Sequence, residues 1–429
     1  MESLIVKVVT LGCKVNQCES ASIVATLKSK NINASEGLEP ADVYILNTCS
    51  VTAEADKKSR QYLSKMRKIN PTCNIIVVGC SSQNNANKFA QNNVIAIGGT
   101  SNKSDFALKS IKNITNTPKY NTISDRILYQ NTEFGIKMSG YCYEQYSKYE
   151  RTRAFVKIQD GCNRFCSYCI IPYLRGRSRS RDIDDILKEC KLNESKELVI
   201  TGIDISAYGK DNGSSLAELL NALSGILARK RLGSLECEAV TDEVLCAMRE
   251  GGYCPHFHLS LQSGSDIVLK SMNRRYDCEY YYSKVKLIRR YFPNAGITTD
   301  VIVGFPTESE DLFEESCRFI EKCAFSDIHV FPYSSRTGTL AHKKYKTLPP
   351  ENVKARVNKL LEIKTRLKSA FLFDNLNTVA SVYVEDFENG YNVGYTPNYI
   401  KVYSNAPCND IHDIKLLKLY KDGVIGEPI

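Results

Sequence analysis

The chain reads as an α/β protein in three parts: an N-terminal doubly wound parallel α/β domain, a central full or partial (β/α) barrel, and a small C-terminal antiparallel β-barrel. Three observations predict this. Apolar strand runs alternate with helical patterns from residue 4 to residue 115, and the same alternation restarts at Arg153. Beyond residue 375 short runs alternate apolar and polar residues between Asn-Gly and Pro-containing turns. A length of 429 residues fits about three domains at ~150 residues each. The predicted units are 1–115, a linker at 116–150, 151–340, a basic linker and helix at 341–374, and 375–429.

In the first unit Leu4–Thr10, Asp42–Asn47, Asn74–Val78 and Asn93–Ile97 read as buried strands, with helices at Ala21–Lys30 and Glu54–Ile69. Such alternation implies a parallel sheet with both faces covered. Cys13, Cys49 and Cys80 each follow a strand, at the edge where open α/β sheets gather their ligands. Thiols far apart in sequence therefore converge. Cys18 and Cys73 lack this placement and read as structural. Gly98-Gly-Thr-Ser-Asn-Lys-Ser104 lacks the spacing of a phosphate-binding P-loop.

In the second unit strands are predicted at Ala154–Gln159, Glu197–Thr201, His256–Leu261, Ile297–Val303 and Asp327–Phe331. Helices fall at Ile183–Leu192, Leu216–Leu227, Tyr280–Arg290 and Glu310–Cys323. Repeated βα units place chemistry at the carboxyl ends of the strands. His256 and His258 share one face of a strand and read as core packing.

Directly after the first barrel strand comes Asp160-Gly-Cys-Asn-Arg-Phe-Cys-Ser-Tyr-Cys169. Its Cys-x3-Cys-x2-Cys spacing supplies three thiolates, Cys162, Cys166 and Cys169, from one loop. Structural zinc closes with four ligands, and no Cys or His follows at a suitable short interval. An iron-sulfur cluster on three thiolates keeps one iron open to a small molecule, which suits this loop better.

The loop, with Tyr168 before its last cysteine, resembles the signature of the radical S-adenosylmethionine (SAM) superfamily. The continuation Ile170-Ile-Pro-Tyr-Leu-Arg-Gly-Arg-Ser-Arg-Ser-Arg181 is similar to the methylthiotransferases, in particular the branch acting on N6-threonylcarbamoyladenosine beside the tRNA anticodon. Thr10-Leu-Gly-Cys-Lys-Val-Asn16, Asn47-Thr-Cys-Ser-Val-Thr52, Leu261-Gln-Ser-Gly-Ser265, Met272-Asn-Arg-Arg-Tyr276 and Thr299-Asp-Val-Ile-Val-Gly-Phe-Pro306 agree, so the likeness covers nearly the whole chain. It implies a TIM-like radical SAM barrel and two 4Fe-4S clusters, one on Cys162, Cys166 and Cys169 and an auxiliary one on Cys13, Cys49 and Cys80. The resemblance further implies that one SAM methylates a sulfur on the auxiliary cluster. A second SAM yields the radical that takes hydrogen from C2 of the adenine. Tyr168, Thr201, Gly202 and Gly304 match positions expected to contact SAM. The chain departs from the family's common pattern at Thr307, where Gly is usual, and at Cys237, where Pro is usual.

Arg175, Arg177, Arg179 and Arg181 alternate with Gly and Ser beside the cysteine loop. Guanidinium groups grip phosphates without reading sequence, so this run is expected to position the anticodon stem-loop of a tRNA. In the last unit Gly394-Tyr-Thr-Pro-Asn-Tyr-Ile-Lys-Val402 resembles a TRAM domain, an RNA-binding module. Tyr395 and Tyr399 are expected to stack on bases, with Lys401 near phosphate.

Composition bounds the remaining choices. Hydrophobic residues make up 43% and charged residues 24%, which excludes a disordered or fibrous chain. No apolar run approaches the ~20 residues of a membrane span, and the first residues do not read as a signal peptide, so a cytoplasmic protein is expected. Seventeen cysteines, an odd number without export signals, fit metal ligation and buried thiols rather than disulfides. A net charge of +9 favours a polyanionic partner. An electron donor such as flavodoxin or ferredoxin and a sulfur source complete the expected partners. The alternatives are a sister enzyme acting on N6-isopentenyladenosine or a ribosomal-protein aspartate, and a zinc-containing RNA-binding protein without catalysis.

Overall fold

A computed structural model describes residues 4–91, 93–116, 127–130, 141 and 152–429. The first unit is a six-stranded parallel sheet of β1 (Ile5–Thr10), β2 (Asn33–Glu36), β3 (Val43–Thr48), β4 (Asn74–Gly79), β5 (Val94–Gly98) and β6 (Leu128–Gln130), in the order β2-β1-β3-β4-β5-β6. Every residue of β3 is buried, as expected for a strand covered on both faces. Helices Lys14–Lys28 and Lys103–Asn116 supply Ile23, Leu27 and Phe106 to one face, and helix Ala53–Ile69 brings Leu63 and Met66 to the other. The sheet is therefore doubly wound, with its switch point between β1 and β3. β2 and β6 are additions to the predicted strands. The predicted linker at 116–150 lies mostly outside the described residues, and its described part includes β6 on the sheet edge.

The second unit is an open half-barrel. It contains β7 (Arg153–Asp160), the short antiparallel β8 (Arg179–Ser180), β9 (Glu197–Gly202), β10 (Arg229–Leu232), β11 (Ser234–Leu235), β12 (His256–Leu259), β13 (Gly296–Val303) and β14 (Asp327–Pro332). These form two sheets, β10-β9-β7-β8 and β11-β12-β13-β14. Strand alternation divides them cleanly. Ala154, Val156, Ile158, Leu198, Ile200, Phe257, Leu259 and Ile297 join the main hydrophobic core under the helices. The opposite, concave face carries charged and polar side chains, among them Lys157, Arg231, His258 and Asp300.

The third unit is a closed five-stranded barrel of β15 (Val379–Glu388), β16 (Tyr391–Tyr395), β17 (Lys401–Ser404), β18 (Asp410–Tyr420) and β19 (Gly423–Pro428), in the order β15-β16-β17-β19-β18. All neighbouring pairs are antiparallel except β17 with β19. The helix Pro350–Asp374 joins the last two units. Its Leu360 and Ile363 enter the half-barrel core while Leu372 enters the core of the small barrel. Lys364 and Lys368 on the same helix both hold Asp327 of β14.

Candidate cluster and substrate site

All three units meet at a cavity of about 900 Å³. One wall is the ligand edge of the first sheet, with Cys13 after β1, Cys49 after β3 and Cys80 after β4. The tight turn into Cys13 depends on Gly12, whose φ is +106°. A Cβ there would stand 2.6 Å from Cys49 Cβ. Burial pushes the Cys49 thiol up to about 12, with Cys80 and Cys13 adding to the rise. Burial also raises Cys80, although Arg175 and Lys103 pull it back. The thiols of this triad thus lie within electrostatic reach of one another, as their placement at strand ends predicted.

The second triad sits beyond the carboxyl end of β7. Gly161 (φ +74°) opens its loop where a Cβ would lie 2.0 Å from the carbonyl oxygen of Arg177. The loop is braced from the segment Met272–Tyr276: the Met272 carbonyl accepts from the Ser167 amide at 2.9 Å, and Asn273 Nδ2 donates to the Phe165 carbonyl at 3.0 Å. Arg274 donates to Cys166 Sγ at 3.3 Å, and the Arg164 amide to Cys162 Sγ at 3.4 Å. Burial, then Asp204, raises Cys162; burial and Cys166 push Cys169 up to about 12. Donors aimed at the sulfurs stabilise thiolates once a metal displaces their protons. The triads adjoin: Cys80 packs on Ile170 and Leu174, which follow Cys169 in the chain.

Both donor sets fit polynuclear clusters. Among the described residues one trio of possible ligands, His258, Asp300 and His329, has its ligand atoms all within 4.8 Å of one another, the closeness a single ion needs. Three thiols per set, one set on the wall of the cavity and the other adjoining it, are the donor chemistry that iron-sulfur clusters take.

Of the expected SAM contacts, Thr201 and Gly202 at the end of β9 line the cavity. Tyr168 instead packs on a small cluster containing Met272, Phe305 and Ala341. Gly304 (φ +75°) faces Val353 of the connecting helix, and its amide donates to Glu308 at 2.7 Å. Thr307 keeps a buried hydroxyl with no partner among the described residues, and Cys237 is fully buried.

The arginine run is corrected by burial. Arg175 is 1% exposed and binds Glu19, Asp160 and Asn16; Arg179 donates to the carbonyls of Arg175 and Arg177; Arg181 binds Asp185 and Glu189. Buried, paired guanidiniums do not meet phosphate. Arg177 alone of the four is exposed, lying 4.6 Å over the Phe165 ring. Arg175 belongs to an ionic network in which Glu19 also binds Lys103 and Lys157, uniting the first unit with the half-barrel. Burial opposes ionisation of Glu19, but Arg175, Lys103 and Lys157 outweigh it and hold the carboxyl well below its usual range.

Tyr395, Tyr399 and Lys401 line the cavity, yet each is already engaged. Tyr399 stacks on Tyr395 at 4.8 Å and on His256 at 4.5 Å, so its ring joins the small barrel to β12 and not to a base. Lys401 binds Glu388 and Asp422. Arg231 donates to the Pro397 and Thr396 carbonyls, completing the junction. His256 and His258 likewise differ from the predicted core packing. Both face the cavity, where His258 meets Thr298 at 2.9 Å and Asp300 at 3.3 Å. Burial, then Arg231, drives His256 well below 6.5, so it is neutral at pH 7.

The sequence missed Lys14. It lines the cavity beside Cys13 with its side chain exposed to that space. Burial and the charges of Arg231 and Arg153 lower its pKa. Only its position next to a candidate ligand in Gly12-Cys-Lys-Val-Asn16 marked it.

Residues 156–320 match the radical SAM superfamily and residues 5–98 match the uncharacterized protein family UPF0004. The chain is 36% identical over 433 residues to the threonylcarbamoyladenosine tRNA methylthiotransferase MtaB of Bacillus subtilis, covering 96% of this chain and 93% of that one. It is 34% identical to the protein of that name from Chlamydia pneumoniae, over 98% of this chain and 97% of the other. A tRNA-2-methylthio-N(6)-dimethylallyladenosine synthase of Thermodesulfovibrio yellowstonii is 30% identical over the full length of both. Among solved structures the radical SAM methyltransferase TsrM of Kitasatospora setae shares the fold, with a TM-score of 0.55 at 12% identity over 77% of this chain and 75% of that one.

Proposed function

Because this chain belongs to the tRNA methylthiotransferase family of radical SAM enzymes, we propose that it adds a methylthio group to C2 of N6-threonylcarbamoyladenosine beside the anticodon of tRNA. The observation that carries the reading is the pair of cysteine triads at one cavity, the first lining it and the second adjoining it through Ile170 and Leu174. Cys162, Cys166 and Cys169 hold the radical SAM 4Fe-4S cluster, and Cys13, Cys49 and Cys80 hold an auxiliary one. When bound, the clusters and SAM would supply the one-electron chemistry, the sulfur and the methyl group.

The chain's own residues bind, orient and exclude water. Thr201 and Gly202 mark where SAM enters from the carboxyl end of β9, while the Tyr395–Tyr399–His256 stack lines the same cavity. Neutral His256 adds no proton that a purine nitrogen would take up. Of the arginine run, Arg177 remains to meet a phosphate of the anticodon stem-loop, and the C-terminal barrel acts as a TRAM-type RNA-binding unit. Flavodoxin or ferredoxin supplies electrons, a separate donor restores the sulfur, and the enzyme works in the cytoplasm. Among the described residues no helix is long and apolar enough to cross a membrane.

Anaerobic purification is expected to give about eight irons with matching sulfide, and replacing Cys162, Cys166 and Cys169 by Ala to leave about half. Mass analysis of tRNA nucleosides from a deletion strain tests the substrate. The methylthio form of threonylcarbamoyladenosine should vanish there; its persistence, with loss of the dimethylallyl form instead, would reassign the enzyme.

A further inference from the structure

Among the described residues four lysine and arginine side chains line the cavity: Lys14, Arg175, Lys368 and Lys401. Three are committed within the protein. Arg175 binds Glu19 and Asp160, Lys368 binds Asp327, and Lys401 binds Glu388 and Asp422. Lys14 has neither an ion pair nor a hydrogen bond among the described residues. The carboxylate whose charge reaches it, Glu197, is already shared by Arg153 and Arg231. Lys14 is exposed to the cavity, so among the described residues that line it this is the lysine or arginine left uncommitted and open to an anion that enters.

We propose that Lys14 receives the carboxylate of the threonyl group on the substrate adenosine, and so distinguishes it from adenosines whose N6 substituent is uncharged. The proposal rests on the function assigned above and deepens it. For sulfur to reach C2, the adenine must present that atom to the group held by Cys13, Cys49 and Cys80, and Lys14 is the residue after Cys13. The ureido N–H joining threonine to N6 is placed to bond the ring nitrogen N1. That bond folds the carboxylate to the edge of the purine that carries C2. A substrate aligned for the chemistry therefore brings its anion to the neighbourhood of Lys14. Of the histidines that line the cavity, His258 is held by Thr298 and Asp300 and packs against His329, and His256 is stacked on Tyr399. A hydrocarbon substituent would leave the ammonium unpaired, so the same residue disfavours the wrong substrate.

The test measures dissociation constants of the full-length, cluster-loaded protein for two synthetic anticodon stem-loops. One bears threonylcarbamoyladenosine and the other bears its threonine amide, which keeps the shape and loses the charge. Wild type should prefer the acid by on the order of tenfold to a hundredfold, the range of a hydrogen bond to a charged group. Lys14→Gln should bind both stem-loops at the amide level, with iron and sulfide content unchanged, and Lys14→Arg should keep most of the preference. The proposal is overturned if K14Q retains the preference. It is equally overturned if K14Q loses affinity for both ligands alike or loses iron, because Lys14 then serves the fold or the cluster. Wild type that methylthiolates the acid yet binds both alike would also overturn it while leaving the function intact. Failure of wild type to convert threonylcarbamoyl-tRNA at all would instead sink the function and this proposal with it.

Discussion

Glu19 is fully buried and receives Lys103, Lys157 and Arg175, which come from the first unit, from β7 and from the segment after the cysteine loop. Removing one partner of a buried ion pair strands the others. Glu19→Gln is therefore expected to cost about 3–5 kcal/mol, read as a lowered denaturant midpoint. Acid should act in the same direction. Both Glu19 and Asp160 are held well below the usual carboxylate range, so the native state binds fewer protons than the unfolded one. Their contribution is complete above about pH 4 and is lost as pH falls through the depressed values. Unfolding midpoints between pH 7 and pH 3 should drop more steeply for wild type than for E19Q. This network also explains why the arginine run was misread. Alternating Arg with Gly and Ser looks solvated in one dimension, and nothing local reveals that Glu19, more than a hundred residues upstream, lies against Arg175.

At the scale of elements, the first helix was expected at Ala21 but starts at Lys14, immediately after Cys13. Asn16, Gln17 and Glu19 hid it, because polar residues break an apolar period even when their partners bury them. Asn16 donates to the carbonyls of Leu11 and Thr48, which locks the helix start to both flanking cysteine loops. β10 was missed for a similar reason: Arg229 and Arg231 face a concave surface that is polar by construction. The apolar strands were legible, and with them the thiols at their ends. Gly12 tests how tightly this corner is built. Gly12→Ala puts a methyl into the space of Cys49 and forces an L residue to φ +106°. The variant should fold, keep the Cys162–Cys169 cluster and lose about half of its iron; unchanged iron would refute the account of the corner.

The molecule as a whole encloses its cavity with three units, none of which contains the site alone. Truncation after Asp374 removes Tyr399 from His256 and the Thr396 and Pro397 carbonyls from Arg231, but none of the six cysteines. The shortened chain should hold both clusters and lose most tRNA affinity, as gel-shift titration would show. Loss of iron as well would mean that the third unit supports the metal sites. The three-part architecture was visible in the sequence because each unit has its own hydrophobic rhythm. The junctions were not, since a stacked ring such as Tyr399 and a buried guanidinium such as Arg231 look like surface residues when read in order.

The position of Tyr399 also has a bearing on biosynthesis. As the ribosome extends the chain from its amino end, every thiol of both triads has been made by residue 169, whereas the Tyr395 and Tyr399 rings that line the same cavity are translated only near the end. Both sets of cysteines therefore precede, in synthesis, the last of the three units that form the cavity.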